Sequence, residues 1–145
     1  MSDRGRLTAL KALLWTICIY HVLAGVAGTL FQEQALGLAR FLFGVSIELT
    51  PQVSIVVRYA AALCLAVAAL AGLAARDPLA NRNIIIGLAV YFGVRAFDRV
   101  VFYDLLDQHR AGGVPGWVRI LMILFFGGGI LALSLLKPRP ADAQA

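Results

Sequence analysis

Three charged residues interrupt the third apolar stretch of this chain. The run from Asn83 to Val94 is almost purely apolar, and Arg95, Asp98 and Arg99 follow it before more apolar residues. The apolar run alone is shorter than the about 20 residues that cross a bilayer. A membrane-spanning helix here must therefore include the charges, which at such depth usually face a bundle interior, a partner or a polar cavity. This segment is the main candidate for chemistry.

Arginines from other apolar segments extend the cluster. Arg58 lies about one turn inside the second apolar segment, and Arg119 lies at the start of the fourth. In one interpretation the charges form an internal ion-pair network, and we expect Asp98 to pair with Arg95, Arg58 or Arg119. In the other, the guanidinium groups, including that of Arg99, bind a carboxylate, phosphate or sulfur oxyanion, with a lipid headgroup as the simplest ligand.

His21 is the sixth candidate ligand-binding residue. It lies in the middle of the first apolar segment, next to Tyr20. A packed, hydrogen-bonded histidine is the ordinary interpretation, whereas a quinone site would use His21 with Tyr20 or Trp15. The other histidine, His109, falls in a polar loop. This difference in depth argues against a haem held by two histidines, and the sequence names no other cofactor.

Catalytic and metal-binding signatures are absent from the sequence. Cys18 and Cys64 lie inside apolar runs, and a disulfide would need their two helices to bring them close. Without CxxC or a Cys/His cluster, we expect no structural zinc site. GxSxG, HExxH, P-loop and dinucleotide-binding patterns are also missing. The sequence therefore favours a role without enzymatic activity and leaves open an unfamiliar intramembrane chemistry.

The composition indicates a membrane protein. The chain has 145 residues, of which 61% are hydrophobic and 14% charged, whereas soluble domains are about 25% charged. One domain of this length cannot bury so much apolar surface away from water, so the lipid bilayer is the predicted partner. The net charge of +5 comes without a basic stripe or aromatic platform for nucleic acid. We expect it to orient the protein in the membrane.

Four predicted spans give an all-α fold, an integral membrane four-helix bundle in a single domain of residues 1–145. The spans cover about residues 12–31, 53–75, 83–106 and 116–136. The first follows a basic start, as signal peptides do, but its apolar run exceeds the usual 7–15 residues, so we predict a retained helix. The connection from Gln32 to Pro51 suits a short helix in the membrane interface. Thr50 and Pro51 are typical of the entry to the next helix.

Small residues dominate the second span. Ala62 with Ala66, and Ala68 with Gly72, have the spacing that lets helix backbones approach closely. We therefore predict that this helix packs against neighbours on more than one face. The segment from Arg76 to Arg82, with a proline inside it, predicts a tight connection to the third span.

Lysine and arginine counts predict the topology. Four spans place both termini on one side, together with seven basic residues: Arg4, Arg6, Lys11, Arg76, Arg82, Lys137 and Arg139. The opposite loops carry Arg40 and Arg110, with Arg58 and Arg119 near the span ends. The rule that positive loops stay inside predicts cytoplasmic termini in a multi-pass protein. The compact, Ala- and Arg-rich chain further suggests a bacterial inner membrane.

The layout resembles the DoxX-like families of small bacterial membrane proteins. The similar features are the four spans, a small-residue second span ending in GLAARDP, NR at the entry to the third span, and the charged segment VRAFDRVVFYD. DoxX-like proteins are linked in part to membrane sulfur and redox chemistry. The resemblance implies a role beside a quinone or an oxidoreductase, and it transfers no catalytic residue. The chain has no diagnostic cysteine pair for thiol chemistry.

The sequence thus predicts a non-catalytic accessory or structural membrane subunit that binds lipid or another small hydrophobic molecule. One alternative is a redox-associated subunit that binds quinone or an oxyanion at the arginine cluster. Another is a small dimeric exporter, although the arginines beside Asp98 disfavour a cationic substrate. Predicted partners are the bilayer, an anionic lipid or quinone, and a second copy or a larger membrane complex.

Overall fold

The described part of the chain is all-helical. The computed structural model describes residues 3–43, 47–101 and 116–136, and these contain five α-helices and no strand. In chain order the helices are α1 (Asp3–Leu30), α2 (Gln32–Phe43), α3 (Pro51–Arg76), α4 (Arg82–Val101) and α5 (Gly116–Leu136). The predicted all-α class is confirmed, as is the short helix between the first two spans. The last part of the predicted third span, 102–106, lies outside the described residues.

Two of the described helices are long and apolar enough to cross a membrane, namely Arg4–Leu30 with 27 residues and Pro51–Arg76 with 26 residues. At 1.5 Å per residue each is about 40 Å long, which exceeds the about 30 Å of a hydrocarbon core. The first helix begins at Asp3, well before the predicted span start at residue 12. The basic N-terminal segment is therefore a continuous extension of the apolar helix.

Local sequence explains where α3 begins and ends. Thr50 is its N-cap, since the Oγ1 atom accepts a hydrogen bond from Val53 N at 3.2 Å, and Pro51 occupies the first turn. This is the predicted entry. At the other end Asp77 Oδ1 accepts bonds from Leu79 N and Ala80 N, at 3.1 and 3.0 Å. These bonds close the tight turn that leads into α4.

Helices α1 and α3 pack closely through their smallest residues. A Cβ atom added at Gly25 would come within 2.6 Å of Leu65 Cγ, and one added at Gly28 within 2.9 Å of Ala61 Cβ. Ala61 and Ala68 are 3% and 2% exposed. The prediction of close packing is confirmed on this face of α3.

One predicted packing pair is wrong. Ala62 and Ala66 are exposed. Successive residues are rotated by about 100° around a helix, so these two point away from the face that holds the buried Ala61 and Val67. Spacing alone does not tell which of two small-residue faces meets a neighbour. The Ala68–Gly72 pair does face a neighbour, since Gly72 lies against Cys18 Sγ of α1.

Helices α4 and α5 form the second close pair. Gly129 of α5 lies under the Phe92 ring of α4, where an added Cβ would approach Phe92 Cδ1 to 2.5 Å. Fewer contacts join this pair to the first, through α3 with α4 and α1 with α5. The buried core runs through this junction and includes Leu10, Leu14, Ile17, Ala71, Ile85, Leu88, Phe92 and Leu133.

The outer surface is apolar. On α3 the buried positions hold mostly alanine, whereas the large apolar side chains point outward: Ile55, Val56, Tyr59, Leu63, Leu65, Leu70 and Leu73 are exposed. Leu23 and Leu30 of α1 and Leu124 and Leu131 of α5 are exposed too, although these two helices also bury large apolar residues such as Leu14 and Leu133. On α3 the arrangement is the reverse of a water-soluble helix, which buries its large apolar residues.

Candidate functional site

His21 is the buried polar centre of the junction between the helix pairs. Its side chain is 2% exposed, and Nδ1 lies 2.8 Å from the Ile17 carbonyl oxygen one turn earlier in α1. A carbonyl can only accept, so Nδ1 carries a proton and donates it in this bond. In the neutral ring Nε2 is then an acceptor. Nε2 makes no hydrogen bond to the described residues, so it is available to a group that donates one.

Aromatic rings of α1 and α4 surround this imidazole. Its ring centroid lies 5.0 Å from Tyr20, 5.9 Å from Tyr91 and 6.3 Å from Phe92. Phe125 and Phe126 of α5 extend the group, with Phe126 5.8 Å from Phe92. The pairs have tilted or edge-to-face geometries, which aromatic quadrupoles favour. We call His21, Tyr20, Tyr91, Phe92, Phe125 and Phe126 the aromatic cluster.

Arg95 adds a positive charge to the cluster. Its guanidinium carbon lies 5.6 Å from the centroid of Phe126, within the range of a cation–π interaction. Phe126 packs against Phe92, which in turn neighbours His21, so Arg95 lies at the edge of the aromatic cluster. The Arg95 side chain is exposed. The junction thus combines an imidazole acceptor and a cation with tilted and edge-to-face aromatic rings.

The predicted arginine cluster is only partly described. Asp98 is half-buried and Arg58 is exposed. The expected ion pair of Asp98 with Arg95 or Arg58 is not made among the described side chains. Arg99 and Arg119 lie on α4 and α5, but their side chains lie outside the described residues. That the six predicted residues bind one ligand stays a prediction. Of the six, His21 and Arg95 have side-chain contacts that the structure describes.

The other candidate groups have simpler roles in the structure. Cys18 and Cys64 are free thiols, so the disulfide considered from the sequence is not formed. Trp15 is 44% exposed and makes no ring contact with the aromatic cluster among the described residues. No group of three potential metal ligands occurs in the ranges that the structure describes.

Comparisons with known proteins add no relative. The chain matches no protein-family model, no curated protein and no solved structure at a significant level. The resemblance to DoxX-like families therefore stays a prediction based on layout and short segments.

That His21 and Arg95 lie at one aromatic cluster was not predicted from the sequence, although depth could have indicated it. His21 lies ten residues after Lys11, about 15 Å along α1, and Arg95 lies about 20 Å along α4 from its first residue, Arg82. Both distances start from the same end of the structure. Counting helical rise from the shared end would therefore have placed the two groups at similar heights.

Proposed function

We propose that the chain is a multi-pass inner-membrane protein of four spans with cytoplasmic termini. Two observations support membrane insertion: the lengths and hydropathy of α1 and α3, and the large apolar side chains of α3 that face outward while its buried positions hold mostly alanine. Soluble proteins rarely expose apolar patches of more than a few hundred Å². Small residues at helix contacts are typical of membrane helices, since close backbone approach there replaces a hydrophobic driving force.

We further propose that the protein binds a small hydrophobic molecule with a polar or anionic head, without catalysing a reaction. The observation that carries this is the buried His21 ring, with Nε2 free to accept a hydrogen bond, in an aromatic cluster that also holds the Arg95 guanidinium over Phe126. A hydroxyl of the ligand would donate to Nε2. A carboxylate, phosphate or other anionic oxygen would pair with Arg95. The aromatic cluster offers flat apolar surface to the ligand body.

A quinol is the second candidate ligand, favoured by the same geometry. Its ring would stack against the cluster while a phenolic hydroxyl donates to Nε2 of His21. A redox-associated subunit would then hold the quinol for a partner oxidoreductase. The two candidates differ in optical spectrum, because bound quinone absorbs in the near ultraviolet and changes on reduction whereas a lipid does not.

The test is retention of small molecules by the purified full-length protein. Native mass spectrometry and solvent extraction of protein in mild detergent would identify what is bound to wild type, His21→Phe and Arg95→Gln. Phenylalanine keeps the ring and its packing while removing both nitrogens. A hydrogen bond to the neutral His21 ring is worth about 0.5–1.5 kcal/mol and one to the charged Arg95 about 1.5–3 kcal/mol, so we expect retention to fall about two- to tenfold in His21→Phe and about ten- to hundredfold in Arg95→Gln.

Arg58→Gln is the matched control, because Arg58 is an exposed arginine of α3 without an ion pair among the described residues. We expect it to keep the ligand. Loss of the ligand in Arg58→Gln with full retention in Arg95→Gln would instead locate binding at the outer arginine cluster. Equal retention in all variants would refute ligand binding by either group of residues.

A further inference from the structure

A cavity lies at the opposite end of α1 from the α1–α2 connection. It measures about 310 Å³ and lies between the first turns of α1 and the turn that follows α3. Its lining combines basic, neutral and apolar residues: Arg4, Leu7, Thr8, Lys11, Asp77, Pro78 and Leu79. This cavity shares no residue with the aromatic cluster, so it does not depend on the ligand proposed there.

The charges in this cavity favour an anion. Arg4 and Lys11 both line it, and neither forms an ion pair with Asp77 among the described residues. The Asp77 carboxylate is engaged instead by the backbone, since Oδ1 accepts bonds from Leu79 N and Ala80 N. The Thr8 hydroxyl donates to the Arg4 carbonyl oxygen at 2.9 Å. The two cations are therefore the groups left to meet a ligand.

The height of the cavity favours a lipid over a soluble anion. Lys11 immediately precedes the apolar run of α1, and Asp77 immediately follows the last residue of α3, Arg76. Both helices are long and apolar enough to cross a membrane. In a bilayer these residues lie at the boundary between hydrocarbon and water, where lipid phosphates are found. Leu7 and Pro78 supply apolar surface for the glycerol and upper acyl carbons.

We propose that this cavity binds the phosphate headgroup of an anionic phospholipid, held by Arg4 and Lys11. Basic pockets at the cytoplasmic face of membrane helices recognise such headgroups through charge. Arg82, at the start of α4, adds positive charge at the same end, and its Nε is buried without a hydrogen-bond partner in the described part of the chain. The bound lipid would tie the N-terminal turns of α1 to the α3–α4 turn.

Titration of the full-length protein in neutral detergent with phosphatidylglycerol, followed by native mass spectrometry, tests the proposal. Each Lys or Arg near a membrane surface is worth about 1 kcal/mol toward anionic lipid. We therefore expect Arg4→Gln combined with Lys11→Gln to weaken binding about thirtyfold. Phosphatidylcholine, which has no net charge, should bind wild type weakly.

Asp77→Asn gives a gain that misfolding cannot imitate. Asparagine keeps an oxygen acceptor for Leu79 N and Ala80 N but removes the negative charge from the cavity. We expect phosphatidylglycerol to bind about fivefold more tightly. Unchanged or weaker binding in this variant, with helical content preserved, would overturn the proposal.

Two further arms distinguish a lipid site from diffuse charge attraction and from a soluble phosphate site. The matched control is Arg40→Gln with Arg58→Gln, which removes the same charge from exposed arginines of α2 and α3. It should retain wild-type affinity, and a loss equal to that of the Arg4/Lys11 variant would mean diffuse attraction instead of a site. Inorganic phosphate at millimolar concentration should not displace the lipid. Displacement would reassign the cavity to a soluble phosphate.

Discussion

The contact between Gly28 of α1 and Ala61 of α3 gives the sharpest test of the packing. Replacing Gly28 by alanine would put the new Cβ 2.9 Å from Ala61 Cβ. The most favourable separation of two carbon atoms is about 3.5–4.0 Å, so the methyl groups would be at least about 0.6 Å too close. Neither group can rotate away, because each is attached directly to a helix backbone. The helices must move apart or distort.

The expected loss follows from two opposing terms. Alanine is favoured over glycine in a helix by about 0.8–1.0 kcal/mol, while overpacking a close contact costs about 1–3 kcal/mol. Gly87 of α4 provides the matched control, since it is exposed and an added Cβ there meets nothing within 4 Å. The two variants share the helix-propensity term. Gly28→Ala should therefore be less stable than Gly87→Ala by the clash alone, about 1–3 kcal/mol.

A compensating change makes this prediction specific to one atom pair. Ala61→Gly removes the Cβ that meets the new methyl group, so the double variant moves one methyl group from α3 to α1. Residues in direct contact couple by about 0.5–3 kcal/mol, and we expect Ala61→Gly to restore most of the stability lost in Gly28→Ala. Tryptophan fluorescence during unfolding in mixed micelles of increasing SDS content would measure each variant.

Two results would refute the reasoning. If Gly28→Ala is as stable as Gly87→Ala, the two helices do not approach as closely as the structure shows. If Ala61→Gly and Gly28→Ala destabilise additively, the loss arises from something other than their contact, such as the Val57 carbonyl oxygen 3.6 Å from the added Cβ.

Three further predictions concern the second helix pair, the faces of α3 and the topology. Gly129→Ala should lose about 1–3 kcal/mol in the same unfolding assay because its Cβ would meet Phe92, whereas Gly127→Ala, with nothing within 4 Å, should not. Ala68→Leu should destabilise by a similar amount, and Ala62→Leu on the exposed face should be neutral. If Ala62→Leu were the more destabilising variant, the buried and exposed faces of α3 would be the opposite of those in the structure. Reporter fusions at Gln34, Leu79, Gly112 and Ala145 should lie outside, inside, outside and inside, in that order. A cytoplasmic signal at Gly112 would eliminate the predicted third span.

The helices themselves were largely predictable from local sequence. The predicted span 53–75 lies within α3, and its cap follows from two residues, Thr50 and Pro51. The start of α1 was not predicted. The charged residues before Ala12 set the start of the predicted span there, but none of them breaks a helix. Hydropathy locates where lipid could contact a helix, whereas helix ends depend on backbone hydrogen bonds and caps.

The candidate site was less predictable, because it depends on which helices pair. The arginines were grouped by their predicted depth near one membrane surface, which led to an expected ion pair for Asp98 that the described residues do not make. Arg95 instead lies over Phe126 of the aromatic cluster. Spacing along α4 fixes which residues share a face, but the identity of the facing helix comes only from packing.

The sizes of the side chains at the two kinds of helix contact explain why the polar groups lie at the junction of the helix pairs. Glycines on α1 bring its backbone so close to α3 that even an added methyl group would collide with Ala61 or Leu65. No ionisable side chain could be accommodated there without separating the helices. At the junction of the two helix pairs, by contrast, contacts are fewer and large rings fill the space. Rings can shift more readily than backbones, so the ligand that we propose would enter at this junction while the α1–α3 contact holds the pair together.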